Sequence, residues 1–376
     1  MLHKISSFIA VVTLLTSVCS AQNNLSDKLQ SEIDMIRQNH VPDKRVAVFD
    51  VSYSGNDNQW TLSGETTSPV AFAELKEMAK KLLPSSHKFN VEMLPSSTLG
   101  TRIKGVTYVS VAVLRGTPSH SSEMVDQVVM GTELTILKIK DGWAYVQTPY
   151  HYLGWMTPSS FMQMSETKLE EWKSTGLVSV KSRNANIYIQ PSQDSRVLRD
   201  AVMNSQIKRI AENGEFTEVE LPDGARGYIY THHLGQVIKL DNSKKPDEEK
   251  IIQIAHMMHG LPYLWGGNST KGFDCSGFTR TVFETAGYQL PRDASQQVQI
   301  GTEVSPNSTF SNVEPGDLIF FGPSSSRITH VGISLGGDQF IHASNYVRIN
   351  SLLPAEENYS AYRRGMLQVI KRVGDQ

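Results

Sequence analysis

Apolar positions along the chain divide it into three stretches. Leu25, Leu29, Ile33 and Ile36 recur at helical spacing and predict a helix over residues 25–40, with Ser26 as its N-cap. Arg45–Tyr53 alternates like a half-buried strand, Ser54–Asn58 is a turn cluster, and Gln59–Glu65 returns as a second strand. Val70, Ala71, Leu75, Met78 and Leu82 share one face of a helix over Val70–Leu83. A short strand around Phe89–Met93 completes a small α+β unit over residues 22–105. That unit carries no chemical motif.

The middle third repeats itself at an offset of 73 residues without a gap. Pro118 matches Pro191, Ser122 matches Ser195 and Met130 matches Met203. Leu134, Leu137, Trp143 and Val146 match Ile207, Ile210, Phe216 and Val219. Pro149 matches Pro222, and Gly154-Trp155 matches Gly227-Tyr228. Both copies read as short alternating strands between turns, as in a small β-barrel. The pattern resembles bacterial SH3-like domains, placed at 106–170 and 171–243. A charged helical linker, Glu166–Ser174, joins them. A polar linker with Pro246 follows, and that proline is expected to open the next helix in its first turn.

Lys and Arg total 36 against 38 Asp and Glu, a net charge of −2, which argues against nucleic acid as the main partner. Residues 1–21 read as a signal peptide. A short polar start precedes a mostly apolar run from Ile5 to Val18, and Cys19-Ser20-Ala21 offers small residues before a cut at Gln22. The protein is therefore expected to be exported, to the periplasm or the cell exterior. A lipid anchor on Cys19 is the rival, disfavoured because Val18 stands where a lipobox has Gly, Ala or Ser. No later run of roughly 18 apolar residues suggests an integral membrane segment. Cleavage leaves a single thiol, Cys275, so the exported chain has no internal disulfide.

The surroundings of that thiol change the picture. Gly272-Phe273-Asp274-Cys275-Ser276-Gly277 precedes an apolar run of helical spacing, Phe278–Ala286, which puts Cys275 in the first turn of a helix. There the unpaired N–H groups and the helix dipole favour a thiolate. His330 heads a strand, Gly336-Gly337-Asp338 turns it, and Gln339–Ala343 returns with His342. The two histidines, 12 positions apart, become neighbours across the hairpin. A thiol, a base and a group to orient the base form the logic of a catalytic triad. One cysteine and two histidines at this spacing make a poor zinc site, so neither a metal nor another cofactor is expected. His232, His233, His256 and His259 have no such companions and read as surface or core residues.

These blocks, with Pro262-Tyr263-Leu264-Trp265-Gly266-Gly267, Leu290-Pro291-Arg292-Asp293 and Pro315-Gly316-Asp317, resemble the NlpC-type cysteine peptidase family. The resemblance covers about residues 248–370 and implies a papain-like α+β catalytic domain, placed at 244–376. The fold class is thus multidomain: a small N-terminal α+β unit, two SH3-like β-barrels and a papain-like core. The resemblance implies Cys275 as nucleophile, His330 as general base and acid, and His342 as the group orienting it. Tyr263 is implied beside the nucleophile, and Asp317 reads as a turn buttress.

With the SH3-like pair, the chain resembles the γ-D-glutamyl-L-diamino acid endopeptidases of the dipeptidyl-peptidase VI kind. That implies peptidoglycan stem peptides as substrate, L-Ala-γ-D-Glu-diamino acid with a free N-terminal amine. Asp274, Ser276, Glu123 and Tyr152 are then expected to hold the ammonium. At the repeat offset Glu123 becomes Arg196 and Tyr152 becomes Ala225, as expected if only the first copy faces the site. Arg292 and Asp293 either bind a substrate carboxylate or pin a loop; Ser295 is a weaker candidate. Three alternatives stand beside this reading: an endopeptidase of intact wall with the SH3-like pair as a targeting module, a non-catalytic wall-binding protein, and an amidase or acyltransferase on the same core.

Overall fold

The computed structural model describes residues 25–56, 59–174 and 176–374. The expected signal peptide and Cys19 lie outside the described residues. The chain forms two compact units, one running to Gly100 with His151–Leu153, the other comprising Thr101–Tyr150 and Gly154 onward.

In the first unit, helix α1 (25–40) precedes strands β1 (Phe49–Asn56) and β2 (Gln59–Thr66), helix α2 (Pro69–Leu82) and strand β3 (Lys88–Met93). β1 and β2 pair antiparallel, and β3 returns parallel to β2 after the α2 crossover. Leu29, Ile33, Leu62, Leu75 and Val91 fill the core. Three local expectations shift. The helix is already formed at residue 25, so Ser26 is inside it. The strand starts at Phe49 because residues 44–46 turn, with the Asp43 carboxylate holding Arg45 by its backbone and guanidinium. Val70 is exposed, since Pro69 occupies the first turn of α2 and the buried face begins at Ala71.

The repeat holds strand by strand. The first copy contains β4 (Lys104–Thr107), β5 (Val111–Arg115), β6 (Met124–Val129), β7 (Glu133–Lys140), β8 (Trp143–Gln147), β9 (Leu153–Met156) and β10 (Phe161–Met164). The second contains β11 (Leu177–Val180), β12 (Asn184–Tyr188), β13 (Val197–Val202), β14 (Gln206–Asn213), β15 (Phe216–Glu220), β16 (Arg226–Tyr230) and β17 (Leu234–Gly235). The sheet orders are β10-β4-β7-β8-β9-β5-β6 and β17-β11-β14-β15-β16-β12-β13, the same topology twice. Even the bulges recur at the repeat offset, between Ile136 and Lys138 and between Arg209 and Ala211. Between the copies lies α3 (Glu166–Lys173), capped by Ser165, with Leu169 and Trp172 packed on Val106.

The C-terminal part opens with α4 (Glu248–Met257). Asp247 is its N-cap and accepts from the Lys250 N–H, so Pro246 stands before the cap and not in the first turn. After short strands β18 (Asn268–Ser269) and β19 (Gly272–Phe273) come α5 (Cys275–Thr285), α6 (Ala294–Gln297) and β20 (Thr302–Glu303). Strands β21 (Pro315–Phe321), β22 (His330–Gly336), β23 (Gln339–Ser344) and β24 (Tyr346–Ser351) follow, then α7 (Ala361–Met366) and β25 (Leu367–Arg372). The antiparallel sheet runs β20-β25-β21-β22-β23-β24, and α5 packs on β22 and β23. Phe278 and Val282 of α5 share the core with Val331, Ile333 and Ile341 of the hairpin. No helix among the described residues is long and apolar enough to cross a membrane.

Candidate active site

Cys275 is the first residue of α5, as its sequence neighbourhood predicts. Asp274 is the N-cap, its carboxylate accepting from the Gly277 N–H at 2.6 Å. Gly277 has a packing reason: a Cβ there would overlap the Gly267 carbonyl oxygen, so the helix start lies directly on the Tyr263–Gly267 loop. The thiol is buried among apolar residues. Burial pushes it up to about 12, with the Asp274 charge adding to the effect. The Val331 and Ser276 backbone N–H groups pull the other way. The resting sulfur is therefore a protonated thiol, against the thiolate that helix position alone favours.

His330 and His342 lie on adjacent strands, diagonal to each other on one face of the sheet and two residues off direct opposition. In the register Ile333 pairs with Ile341, which sets Gly332 opposite His342. The rings meet edge to face, His330 Nε2 lying 2.7 Å from His342 Nδ1. Sequence reasoning missed the next member, Asn350 on β24, whose Oδ1 lies 3.0 Å from His342 Nε2. Asn350 Nδ2 donates to the Asn358 carbonyl, which fixes the amide so that oxygen faces the ring. His342 must then carry its proton on Nε2, which leaves Nδ1 as an acceptor. His330 donates Nε2–H to it, and His330 Nδ1 is left as the free basic nitrogen. Burial holds His330 well below its ordinary value and His342 down at about 3, so both rings rest neutral. The positive charges of Arg348 and Arg363 act in the same direction on both.

Behind Cys275 lies a buried ionic network. Arg292 forms a two-pronged pair with Asp274, at 3.1 and 2.6 Å, and reaches Ser276 Oγ at 3.1 Å. Its Nε donates to Asp126 of the first SH3-like copy at 2.6 Å. Asp126 also accepts from Tyr150 Oη, whose ring lies 3.6 Å under the Arg280 guanidinium. Arg292 thus pins structure, while Asp293 caps α6. Asp274 and Ser276 are engaged with Arg292, though two carboxylates around one guanidinium leave an excess negative charge. Glu123 reaches the Trp265 indole N–H at 2.7 Å, which brings it to the rim of the loop holding Tyr263. Tyr263 is half-buried and its phenol is raised to about 12, by burial first and then by the charges of Cys275 and Asp274. Tyr152 is buried in the short segment grouped with the first unit. Asp317 buttresses a turn, accepting from the Glu314 N–H and from Arg372. Ser295 is the second residue of α6. The second copy carries Arg199 and Asp223 where the first has Asp126 and Tyr150, and these form their own ion pair at 2.9 Å. Comparison of the two copies at those positions was the available signal for Asp126 and Tyr150.

Residues 260–368 match the model of the NlpC/P60 family, and residues 114–161 match the bacterial dipeptidyl-peptidase SH3 domain. A γ-D-glutamyl-L-lysine dipeptidyl-peptidase of Bacillus cereus is 28% identical over 65% of this chain and 76% of its own length. Dipeptidyl-peptidase 6 of Lysinibacillus sphaericus is 26% identical over 72% of this chain and 99% of its own. The crystal structure of an NlpC/P60 family protein from Bacillus cereus has a TM-score of 0.61 at 23% identity, covering 72% of this chain and 99% of that one, which shows a shared fold. The chain therefore carries an NlpC/P60 cysteine peptidase domain preceded by an SH3 domain of the bacterial dipeptidyl-peptidase kind.

Proposed function

We propose that this cysteine peptidase hydrolyses the γ-D-glutamyl–diamino acid bond of peptidoglycan stem peptides whose N-terminal L-Ala is free. Cys275 is the nucleophile, His330 the base and acid, and His342 with Asn350 the relay that orients it. The observation that carries the reading is this relay together with a thiol at a helix N-terminus that meets the backbone N–H of Val331, the residue after His330, while Glu123 of the SH3-like copy meets the Trp265 rim.

His330 Nδ1 takes the thiol proton as Sγ attacks the γ-carbonyl carbon. The oxyanion forms at the start of α5, where the Cys275 N–H is a donor; one such donor is worth ~3–4 kcal/mol in analogous sites. The C–N bond then breaks, and His330 returns its proton to the departing amine. This leaves L-Ala-γ-D-Glu as a thioester on Cys275. Water attacks with His330 again as base, releasing the γ-carboxylate and restoring the thiol. His342 stays neutral throughout and accepts the Nε2–H of His330, so the positive ring is stabilised only while it exists.

A free ammonium in an enclosed pocket needs an anionic partner. Glu123 and the excess charge of the Asp126–Arg292–Asp274 cluster suit that need, with Ser276 and Tyr263 as polar neighbours and Tyr152 as a further candidate. The domain limits at 105/106, 170/171 and 243/244, and export of the mature chain, belong to the same proposal. The test is a mass-spectrometric digest of free L-Ala-γ-D-Glu-diamino acid, its N-acetylated form and intact sacculi, with Cys275→Ala as control. The expected result is release of L-Ala-γ-D-Glu from the free peptide only, lost in Cys275→Ala. Equal turnover of the acetylated peptide would remove the ammonium pocket. Cleavage of sacculi would point to wall remodelling.

A further inference from the structure

Two arginines stand at the site without an acid to neutralise them. Arg348, on β24, is directly opposite His342, and its Nε is buried without a hydrogen-bond partner. Among the described residues the Arg363 guanidinium, on α7, has one hydrogen-bond partner, the Ser344 hydroxyl at 3.3 Å. Its guanidinium lies 5.7 Å from the Phe321 ring, and Phe321 is the cross-strand partner of His330. Arg280, Arg292 and Arg372 of the same domain each end on carboxylates. Among the described residues no carboxylate meets Arg348 or Arg363. The two charges also oppose each other: Arg348 and burial lower the pKa of Arg363, and the Arg363 charge reaches Cys275 and Tyr263. Converging, half-buried like charges cost free energy that a bound anion would offset.

We propose that Arg348 and Arg363 form a carboxylate subsite for the amino acid that leaves, and that the enzyme selects stem peptides in which this residue is C-terminal. The inference rests on the reaction proposed above. Its argument is positional. His330 must deliver a proton to the departing nitrogen, so the leaving residue lies against the histidines. Its α-carboxyl group is two bonds from that nitrogen. Guanidinium groups flanking His330 and His342 are therefore where that group arrives. When a further residue follows, the carboxylate is replaced by a neutral amide that cannot pair with a guanidinium fork.

The experiment compares L-Ala-γ-D-Glu-L-Lys with its C-terminal carboxamide on the full mature chain. Wild type is expected to lose about 10- to 100-fold in kcat/KM on the amide, mainly through KM. In Arg363→Gln and Arg348→Gln the acid substrate falls toward the amide, and the ratio between them approaches unity. Because both substrates meet the same preparation, a misfolded fraction leaves the ratio unchanged. Equal turnover by wild type, or a ratio retained in both variants, would overturn the proposal. A third arm uses meso-diaminopimelate amidated at its α-carboxyl. Restored turnover there, lost in the variants, would keep the carboxylate subsite but assign it to the second carboxylate of the side chain, overturning the C-terminal selection. Failure of wild type to release L-Ala-γ-D-Glu from any of these peptides would instead refute the underlying reaction.

Discussion

The tautomer of His330 is decided by an asparagine that never touches it. Asn350 fixes the proton of His342 on Nε2, and His342 in turn makes His330 donate from Nε2, so the basic lone pair is on Nδ1. Asn350→Ala is expected to lower kcat about 10- to 100-fold, as loss of an orienting partner commonly does, with little change in KM. Asn350→Asp keeps the acceptor and adds a negative charge. The wild-type rings are held below 6.5 by burial and by Arg348 and Arg363, so the base form of His330 persists into acid and the acid limb of kcat/KM should lie below pH 6.5. A carboxylate at position 350 favours the protonated rings, so the limb should move to higher pH. A pH–rate profile of both forms checks the sign, and an unmoved limb would separate Asn350 from the proton relay. Cys275, His330 and His342 were legible because each sits where local pattern speaks: a helix start and two ends of a hairpin. Asn350 was not, because an amide on a third strand has no spacing signature.

At the scale of elements, the start of α5 is positioned by two glycines. The Gly277 Cα faces the Gly267 carbonyl with no room for a methyl group, so backbone packs on backbone exactly where Cys275 is presented. Gly277→Ala must push the helix start away from the Tyr263–Gly267 loop. Expected is a loss of activity of at least about 100-fold, since an error of ~1 Å in placing a reacting group costs that much. Alkylation kinetics of Cys275 in the unliganded protein should change in the same variant; unchanged activity and alkylation would show that the close approach is not needed. The repeat was legible for a complementary reason. Its strands, bulges and sheet order recur at 73 residues because turn geometry and inward apolar positions are written locally. The strand at Phe49 was misplaced because alternation carries no sign that the Asp43 carboxylate would draw Arg45 into a turn.

At the scale of the whole molecule, the two readings of the SH3-like pair make opposite demands. A wall-targeting module should leave catalysis on a small peptide intact when removed. The contacts of the first copy argue for an integral part of the catalytic centre. Asp126 is wholly buried against Arg292, which is itself paired with Asp274, the N-cap of α5. Gln127 accepts from the Asn268 backbone N–H and from Ser269 Oγ, and its own carbonyl accepts from Asn268 Nδ2. Removing the copy would leave Arg292 with one carboxylate in place of two and would uncover Asn268. Breaking one partner from a buried pair typically costs ~3–5 kcal/mol, a large share of the ~5–15 kcal/mol that holds a domain together. Residues 244–376 alone should therefore be destabilised and inactive on soluble L-Ala-γ-D-Glu-diamino acid, and Asp126→Ala in the full chain should lower both Tm and tripeptide turnover. The matching change in the second copy, Arg199→Ala, breaks a partly exposed ion pair with Asp223 and a contact with Tyr108 of the first copy, neither of which involves Arg292 or Asp274, and should cost about 1–2 kcal/mol in stability, with turnover retained. Thermal unfolding and tripeptide assays on the two variants decide between the readings. Full tripeptide activity in Asp126→Ala would return the SH3-like pair to targeting.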